Sequence, residues 1–470
     1  MLTDEENEVL CRVGPGTPMG KVLRRYWTPA FQAGDLPEPD CPPVRVTVLG
    51  ENFVAFRDSA GRLGFLDELC CHRGASLVLG RVEEGGIRCL YHGWKYAVDG
   101  TILETPNLAT STFRERVKHG AHPVREAGGL GWVYLGPPGT EPPFPAFSWT
   151  GAAADELVVS EMIMDCNWMQ VQEGSIDSSH VAILHLDTLA TMGAGPRNVG
   201  SLQFAGEPWD LDMQVPGRRA GPGSGPGRSG GPDGGGGGPN GGPGEPGRPG
   251  AWPSDDNAPR IEVENTPFGF HYAAIRDVTA DPGKKFVRVT AFAMPYTAFI
   301  GGVASGAVLV VPRDDYTCSS IGVFTVPKGA GGPAGSRRAG GVDPAVWGPE
   351  PENRRIRLPR QDRAAMAAGR SFAGFRGGNR IQDAAVQMSE GPMYNRAKEH
   401  LVPADLAIIR MRRLFADSVR LVEAGGAPLG LGEGCDFARI GAASAIIEAD
   451  QPWQDLVPAN QGVPEPVRRA

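Results

Sequence analysis

Four potential metal ligands stand in two short groups near residue 80. Cys70 and His72 form a C-x-H pair, and sixteen residues later Cys89 and His92 form a C-x2-H pair. Two thiolates and two imidazoles can close a zinc site, or can hold a two-iron, two-sulfur centre with cysteines on one iron and histidines on the other. Zinc knuckles usually open with C-x2-C, which this sequence lacks. The spacing therefore favours the iron–sulfur centre over zinc.

A second group, D-x2-H-x4-H, is formed by Asp177, His180 and His185. Two imidazoles and one carboxylate on one face of Fe(II) leave positions open for dioxygen. Five residues on an ideal helix turn the two imidazoles about 140° apart, so binding one ion requires a π-bulge or a break between them. Asp177 precedes His180 by three residues, on the same predicted helix face. That position suits a hydrogen bond to the imidazole better than a third metal bond.

The elements that must position these groups fall into two regions. Thr3 and Glu6 have capping-box spacing, so a short helix is predicted in a lead-in over residues 1–39. Residues 40–145 contain short alternating segments and turns, which predicts an all-β domain. Residues 150–425 mix helical and strand patterns and are predicted to form an α+β domain. The tail at 426–470 reads as loop, and no further structural prediction is made for it.

The predicted second domain combines helices, strands and a long insertion. Residues 160–185 read mainly as helix, whereas 269–277, 284–296 and 305–315 read as strands. Glycine and proline fill 24 of the 34 positions from 217 to 250, and such a segment has too little apolar surface to offset its ordering entropy, which predicts disorder. A long amphipathic helix on the sheet is predicted from apolar residues at steps of three and four: Ile408, Met411, Phe415, Val419 and Val422.

Composition excludes several classes of protein. The net charge of −8 and a pI near 5.6 argue against a nucleic-acid-binding protein, which would carry a basic surface. No apolar run reaches the ~18 residues of a membrane span, and the first residues lack a signal-peptide pattern. Eight cysteines without a secretion signal do not suggest a disulfide framework. The sequence predicts a cytoplasmic protein with no nucleic-acid or membrane partner.

Four separated segments resemble the oxygenase (alpha) subunits of Rieske non-haem iron oxygenases of the phthalate dioxygenase type. They are VGPGTPMGKVLRRYW, CLYHGWKYAVDG, NWMQVQEGSIDSSHVAILH and IQDAAVQMSEGPMYNRAKEHL. The resemblance covers most of the chain except the insertion and the tail. It implies an N-terminal all-β Rieske domain followed by a catalytic domain of the helix-grip (START/Bet v 1-like) fold, with a curved antiparallel sheet. Two departures are Cys71, at a position where the usual residue is not cysteine, and the insertion itself.

The resemblance also implies roles for individual residues. The cluster ligands would be Cys70, His72, Cys89 and His92, and the mononuclear iron ligands would be His180, His185 and Asp383. Asp177 would be the bridging carboxylate, hydrogen-bonded to His180 and, across a subunit boundary, to a cluster histidine of the neighbouring chain. That role agrees with the spacing argument for a hydrogen bond.

Partners and substrate follow from the same resemblance. It implies a head-to-tail homotrimer or a dimer of trimers, supplied with electrons from NADH by a reductase with flavin and a plant-type ferredoxin domain. The product would be a cis-dihydrodiol, a hydroxylated ring or a dealkylated ether. An aromatic carboxylate substrate would need a cation, for which Arg276 and Arg288 are the candidates, although either could instead lie on a solvated strand face. Glu173 could lie near the iron or simply be exposed.

One alternative function belongs to another class of protein. A Rieske electron carrier whose second domain binds a ligand, without oxygen chemistry, would also contain the first group of ligands. Such a carrier has no need of Asp177, His180, His185 and Asp383. Their presence favours a terminal oxygenase.

Overall fold

The structure is a computed structural model. It describes residues 2–108, 112–187, 197–199, 202–204, 256–279, 281–302, 306–326, 328, 354–431, 434 and 436–457. The predicted disordered insertion at 217–250 lies outside the described residues.

The α-helices and β-strands are labelled in chain order. The helices are α1 (Asp4–Cys11), α2 (Pro18–Leu23), α3 (Phe113–Arg116), α4 (Trp168–Ile176), α5 (Val181–Leu184), α6 (Arg363–Ala367), α7 (Asn379–Ser389) and α8 (Leu406–Glu423). The strands are β1 (Trp27–Gln32), β2 (Val44–Val48), β3 (Glu51–Arg57), β4 (Leu63–Asp67), β5 (Arg81–Glu83), β6 (Gly86–Arg88), β7 (Lys95–Tyr96), β8 (Ile102–Glu104), β9 (Val124–Ala127), β10 (Leu130–Tyr134), β11 (Leu157–Met164), β12 (Arg197–Val199), β13 (Leu202–Phe204), β14 (Arg260–Thr266), β15 (Gly269–Asp277), β16 (Lys284–Ala293), β17 (Thr297–Ile300), β18 (Gly306–Pro312), β19 (Cys318–Thr325) and β20 (Ala443–Glu448).

The N-terminal region is built from three small antiparallel sheets. Their strand orders are β1-β10-β9, β2-β3-β4 and β5-β6-β7-β8. The capping box of α1 is present, since the amide of Glu6 donates to Thr3 Oγ1 and the amide of Thr3 donates to Glu6 Oε2. The all-β fold predicted for this domain is confirmed.

One eight-stranded antiparallel sheet forms the second region. Its order is β11-β19-β18-β17-β16-β15-β14, and β20 pairs with β16 beside β17. The strand patterns at 269–277, 284–296 and 305–315 correspond to β15, β16 and β18. The tail, for which no structural prediction was made, contains the strand β20, whose backbone partners come from β16, a strand distant in sequence.

The long helix α8 packs on this sheet, as its apolar spacing predicted. Met411, Phe415, Val419 and Val422 are buried, and Ile408 is partly buried against the same core. The helix contacts β14 and β15. The mixed α+β, helix-grip fold class is confirmed. No helix in the described part of the chain is both long and apolar enough to cross a membrane.

The prediction that residues 160–185 are mainly helical was wrong in its first part. Residues up to Met164 belong to β11, which pairs with β19 along its whole length. Both faces of β11 carry buried residues, so its apolar run has no alternation that would separate it from a buried helix. Helix α4 begins only after Asn167, whose side chain accepts a hydrogen bond from the amide of Met169.

Candidate metal centres

Two similar loops carry the cluster cysteines. Cys70 follows β4, and Cys89 lies between β6 and β7. In each loop a glycine amide donates to the cysteine carbonyl, from Gly74 to Cys70 over 2.8 Å and from Gly93 to Cys89 over 3.0 Å. Both glycines have positive φ, 72° and 75°, a conformation that residues with a Cβ rarely adopt. The glycines thus let each loop turn tightly around its ligands.

The four predicted cluster ligands differ in burial between the thiols and the imidazoles. Cys70 and Cys89 are buried, whereas His72 and His92 are only partly buried. The two imidazole rings lie edge to face with centroids 4.5 Å apart, and the Trp94 ring stacks on His72 at 4.5 Å. Buried sulfurs and outward imidazoles fit a Rieske cluster. The histidine side is the one nearer the protein surface.

The doubled cysteine is asymmetric in the structure. The Tyr96 hydroxyl lies 2.9 Å from Cys70 Sγ and 3.6 Å from Cys71 Sγ. Cys70 is buried and Cys71 is exposed. This difference supports Cys70 as the ligand and Cys71 as the spacer, which stays a prediction. All seven described cysteines are free thiols.

The second centre brings together the three predicted iron ligands. Asp383 Oδ1 lies 3.1 Å from His185 Nε2 and 3.4 Å from His180 Nε2. One ligand atom from each residue lies within 4.8 Å of the others, and this is the one such group found among the described residues. Two nitrogens and one carboxylate oxygen at this spacing fit the facial triad of non-haem Fe(II).

A break in the helix resolves the angular problem between the two histidines. Helix α4 ends at Ile176, Asp177 is extended, and the one-turn helix α5 has His180 as its N-cap and His185 as its C-cap. His185 has φ −97° and ψ 22°, so its backbone is no longer helical. The ideal-helix angle between the two imidazoles therefore does not apply. The sequence predicted a widened or broken helix. It wrongly placed Asp177 and His180 on one helix face.

Each imidazole is oriented by a hydrogen bond at its outer nitrogen. His180 Nδ1 lies 3.1 Å from Asp177 Oδ2, as expected from the spacing. His185 Nδ1 lies 2.7 Å from Gln382 Oε1. Sequence reasoning missed Gln382, and only its position beside Asp383 could have pointed to it. With both Nδ1 atoms engaged, both Nε2 atoms face Asp383.

Asp383 and His180 shift each other's pKa values. Burial opposes ionisation of Asp383, but hydrogen bonds from His180 and His185 hold its pKa well below the usual range. Burial lowers the pKa of His180, whereas Asp177 and Asp383 outweigh it and raise that pKa to about 9. Concentrated negative charge beside two imidazoles is an environment that attracts a divalent cation.

Comparisons with known proteins agree with this geometry. A family described as the Rieske [2Fe-2S] domain matches residues 26–119, and one described as LigXa C-terminal domain like matches residues 133–200, 248–328 and 350–465. The chain is 34% identical to the phthalate 4,5-dioxygenase oxygenase subunit of Pseudomonas putida, over 97% of this chain and 94% of that protein. The chain belongs to the Rieske non-haem iron oxygenases.

Further relatives place this Rieske oxygenase among the oxygenase subunits. It is 31% identical to the 3-chlorobenzoate-3,4-dioxygenase oxygenase subunit of Comamonas testosteroni, over 91% of this chain and 90% of that protein. The solved structure of NdmA from Pseudomonas putida CBB5 with caffeine has a TM-score of 0.53 at 18% identity, over 93% of this chain and all (100%) of that chain. At that identity the structural match shows the shared fold. A Rieske cluster and a mononuclear iron are the cofactors of this family, and the exact domain bounds 40–145 and 150–425 stay predictions.

A cavity of about 220 Å³ opens beside the predicted iron ligands of this Rieske oxygenase. Asp177, Arg288 and Arg380 line it together with the triad. Its apolar wall consists of Val181, Ala298, Ile300, Ala307, Val308 and Phe324. A mostly apolar cavity with a few charged groups is the usual form of a small-molecule site.

The two arginines proposed from the sequence have different surroundings. Arg288 is buried and lines the cavity, and its Nε donates to the carbonyl of Gly301 over 2.7 Å. Arg276 is fully buried, and its Nη2 donates to the carbonyl of Ser178 over 2.7 Å. Among the described lining residues Arg276 does not occur. It therefore supports the loop between α4 and α5 from outside the cavity.

Glu173 is neither exposed nor a cavity residue as the structure describes it. Its carboxylate accepts from Arg396 Nε at 2.8 and 3.0 Å and from Arg412 Nε at 2.7 Å. Burial opposes ionisation of Glu173, but the two guanidiniums outweigh it and lower the pKa. The expectation of an exposed Glu173 was wrong, because two arginines from distant parts of the chain enclose its carboxylate.

Proposed function

We propose that this chain is the terminal oxygenase component of a Rieske oxygenase system. It takes electrons that originate from NADH and uses dioxygen to dihydroxylate, hydroxylate or O-dealkylate an aromatic substrate. The observation that carries the proposal is the convergence of His180, His185 and Asp383 beside a cavity, in a chain that also holds four Rieske ligands. An electron carrier has no use for the second centre.

The chain's own residues prepare the iron site for this chemistry. Iron bound there would supply dioxygen activation. Asp177 and Gln382 hold the Nδ1 atoms of His180 and His185, so both Nε2 lone pairs face the ion. The apolar wall would pack against an aromatic ring and would keep water from the reacting carbon once the ring is bound.

The two centres favour a head-to-tail trimer, in which a cluster reaches the iron of the next subunit. Leu69, Leu90 and Tyr91 beside the cluster are 56–60% exposed, which is unusual for neighbouring large apolar side chains. Asp177 keeps part of its carboxylate exposed, and its charge acts on Asp405, next to the exposed Leu406. A contact between the exposed apolar residues beside the cluster and the region around Leu406 would be heterologous and could close into a ring.

Relatives suggest the partners and the substrate class. Several carry names of enzymes for aromatic acids, including phthalate and 3-chlorobenzoate, and another is named 5,5'-dehydrodivanillate O-demethylase oxygenase subunit. For this chain we propose an aromatic, carboxylated substrate and an NADH-dependent reductase with flavin and ferredoxin-type centres. Arg288 remains a candidate substrate contact, whereas Arg276 would act only through the loop at Ser178. A cytoplasmic location stays a prediction from the sequence.

Metal analysis tests the proposed function. The purified protein should contain about three irons per chain, two in the cluster and one in the triad. With a reductase, NADH and a panel of aromatic acids and ethers it should consume dioxygen. Asp383→Ala should keep the cluster spectrum, lose about one iron per chain and lose substrate-dependent uptake. About two irons in the native protein, with no uptake on the panel, would instead support the electron-carrier alternative.

A further inference from the structure

Arg380 is a cavity residue that neither the spacing argument nor the family resemblance identified. It lies on α7, three residues before Asp383, so the two side chains leave the same face of the helix. Both residues line the cavity. A group held by the guanidinium of Arg380 would therefore lie next to the iron ligands.

Hydrogen bonds to the sheet fix the orientation of this guanidinium. Arg380 Nη1 donates to Ser160 Oγ over 2.6 Å, and Nη2 donates to the carbonyl of Ser320 over 2.9 Å. Both acceptors are neutral, and both lie on buried positions of β11 and β19. A guanidinium has about five N–H donors. Two such bonds fix its plane, and the remaining N–H groups can donate to a ligand.

The two carboxylates near Arg380 also interact with other groups. Asp383 and Glu161 are the carboxylates that act on it. Glu161 accepts from Arg354 Nη1 over 2.8 Å and from Ser319 Oγ over 2.6 Å. Asp383 belongs to the iron triad. Burial lowers the pKa of Arg380 to about 10, which still leaves it protonated at neutral pH. A buried cation of this kind is stabilised by an anionic ligand.

The summed charge of the cavity residues and a bound Fe(II) also favours a negatively charged ligand. Arg288 and Arg380 both line this cavity, and the charge of Asp383 acts on both guanidiniums. Two guanidiniums balance the two lining carboxylates, Asp177 and Asp383. The positive charge of Fe(II) then remains uncompensated. An anionic substrate restores the balance.

We propose that Arg380 binds the anionic group of the substrate, a carboxylate carried by the aromatic ring. The planar guanidinium matches a carboxylate with two parallel hydrogen bonds. The ring would then lie against the apolar wall at Val308 and Phe324, next to Asp383. This inference rests on the proposed oxygenase function and deepens it, since it assigns the residue that selects the substrate class.

Binding experiments on the iron-loaded protein, without reductase, test this role. Benzoate, phthalate and 3-methoxybenzoate would be titrated calorimetrically against the native protein, each beside its neutral amide. The acids should bind and the amides should bind at least ~30-fold more weakly, because the amides leave a buried charge unpaired. Arg380→Gln should weaken acid binding by a similar factor without weakening amide binding, and Arg380→Lys should give an intermediate loss. Arg370→Gln, an exposed arginine before the same helix, is the matched control and should bind like the native protein.

The outcomes separate this inference from the function on which it rests. Acid binding unchanged in both Arg380 variants, or acids and amides bound equally by the native protein, would overturn the role of Arg380. A native protein that binds none of the acids would overturn it as well. Iron content and dioxygen uptake with neutral aromatic ethers report on the oxygenase function independently. The cluster spectrum and iron content of each variant show whether it has folded.

Discussion

The two imidazoles of the iron site differ in the partner of their outer nitrogen. His180 is held by a carboxylate, Asp177, and His185 by a neutral amide, Gln382. An amide oxygen can only accept, so His185 must carry its proton on Nδ1 and present the Nε2 lone pair to the metal. Gln382 is fully buried, and its Nε2 has no hydrogen-bond partner among the described residues. The Gln382 side chain thus orients His185 through its oxygen, while its buried nitrogen has no partner among the described residues.

Replacing Gln382 should weaken iron binding without removing a ligand. Gln382→Leu removes the acceptor that fixes the tautomer of His185, so Fe(II) affinity of the mononuclear site should fall about 10- to 100-fold. Gln382→Glu keeps an acceptor and should retain most of the affinity. Equilibrium titration of the iron-depleted site with Fe(II) or Co(II) measures both, with the Rieske spectrum as a control for folding. Equal affinity of Gln382→Leu and the native protein would show that the contact is incidental.

The doubled cysteine gives a second test at this scale. Cys70→Ala should abolish the Rieske absorption and EPR signals, because it removes a buried cluster ligand. Cys71→Ala should keep them, because the exposed spacer contributes no bond to iron. The reverse pattern would mean that the ligand register is displaced by one residue. Iron content measured alongside distinguishes loss of the cluster from a change in its spectrum.

Helix α4, which leads into the iron site, is held by ion pairs to distant elements. Glu173 accepts from Arg396, in a segment after α7, and from Arg412 on α8. Arg396 also donates to Asn7 Oδ1 and Cys11 Sγ on α1, each over 3.2 Å. One buried carboxylate thereby ties four segments together, four residues before Asp177. The network therefore anchors the helix that leads to Asp177, the predicted bridging carboxylate.

Glu173→Gln should destabilise the fold in a pH-dependent way. Removing one member of a buried ion-pair network costs about 3–5 kcal/mol. The folded pKa of Glu173 is lowered, so its stabilisation is complete above the unfolded value of about 4.3 and is lost as pH falls through the lower folded value. Denaturant unfolding should show a large difference between variant and native protein at pH 7 and a smaller one below pH ~4. The exposed Glu448→Gln serves as control, and a constant difference across pH would contradict the ionic role.

At the scale of the whole molecule, one chain carries an electron-accepting site and an oxygen-activating site on different domains. The cluster imidazoles are partly exposed in the N-terminal domain, and the iron triad lies beside the large sheet. Asp177 contacts His180, and its side chain is 19% exposed. A neighbouring subunit's cluster histidine could complete that contact, which makes Asp177 the predicted route for electrons between subunits.

Asp177→Asn should separate metal binding from electron transfer. Both metals should stay bound, because Asp177 is not a ligand, whereas re-oxidation of the reduced cluster should slow by about 10-fold or more. Stopped-flow absorbance of the Rieske centre, with substrate and dioxygen, measures that rate. Asp165→Asn, an exposed residue just before α4, should re-oxidise normally. If Asp177→Asn also re-oxidised at the native rate in a protein confirmed as a trimer, the bridging role would be wrong.

Several features could be predicted because they are local in sequence. The C-x-H and C-x2-H loops, the capping box of α1 and the apolar stripe of α8 depend on spacing of a few residues. Contacts over long sequence separation could not be predicted. The sequence of β11 has a helical pattern, but the segment forms a strand because it pairs with β19. The sequence of β20 resembles a loop, but the segment forms a strand because it pairs with β16. Glu173 reads as exposed until arginines more than 200 residues away enclose it.

The sequence by itself determined the ligand types, their order and the family, since motif spacing fixes which chemistry the side chains can support. The tertiary structure decided which residues surround those ligands. It brings Asp383 to His180 and His185 across nearly 200 residues, places Gln382 behind His185 and turns Arg380 towards the cavity while Arg276 supports a loop. These outcomes depend on how helix α7 and the sheet pack together, and packing is set by all of their contacts at once rather than by any local pattern.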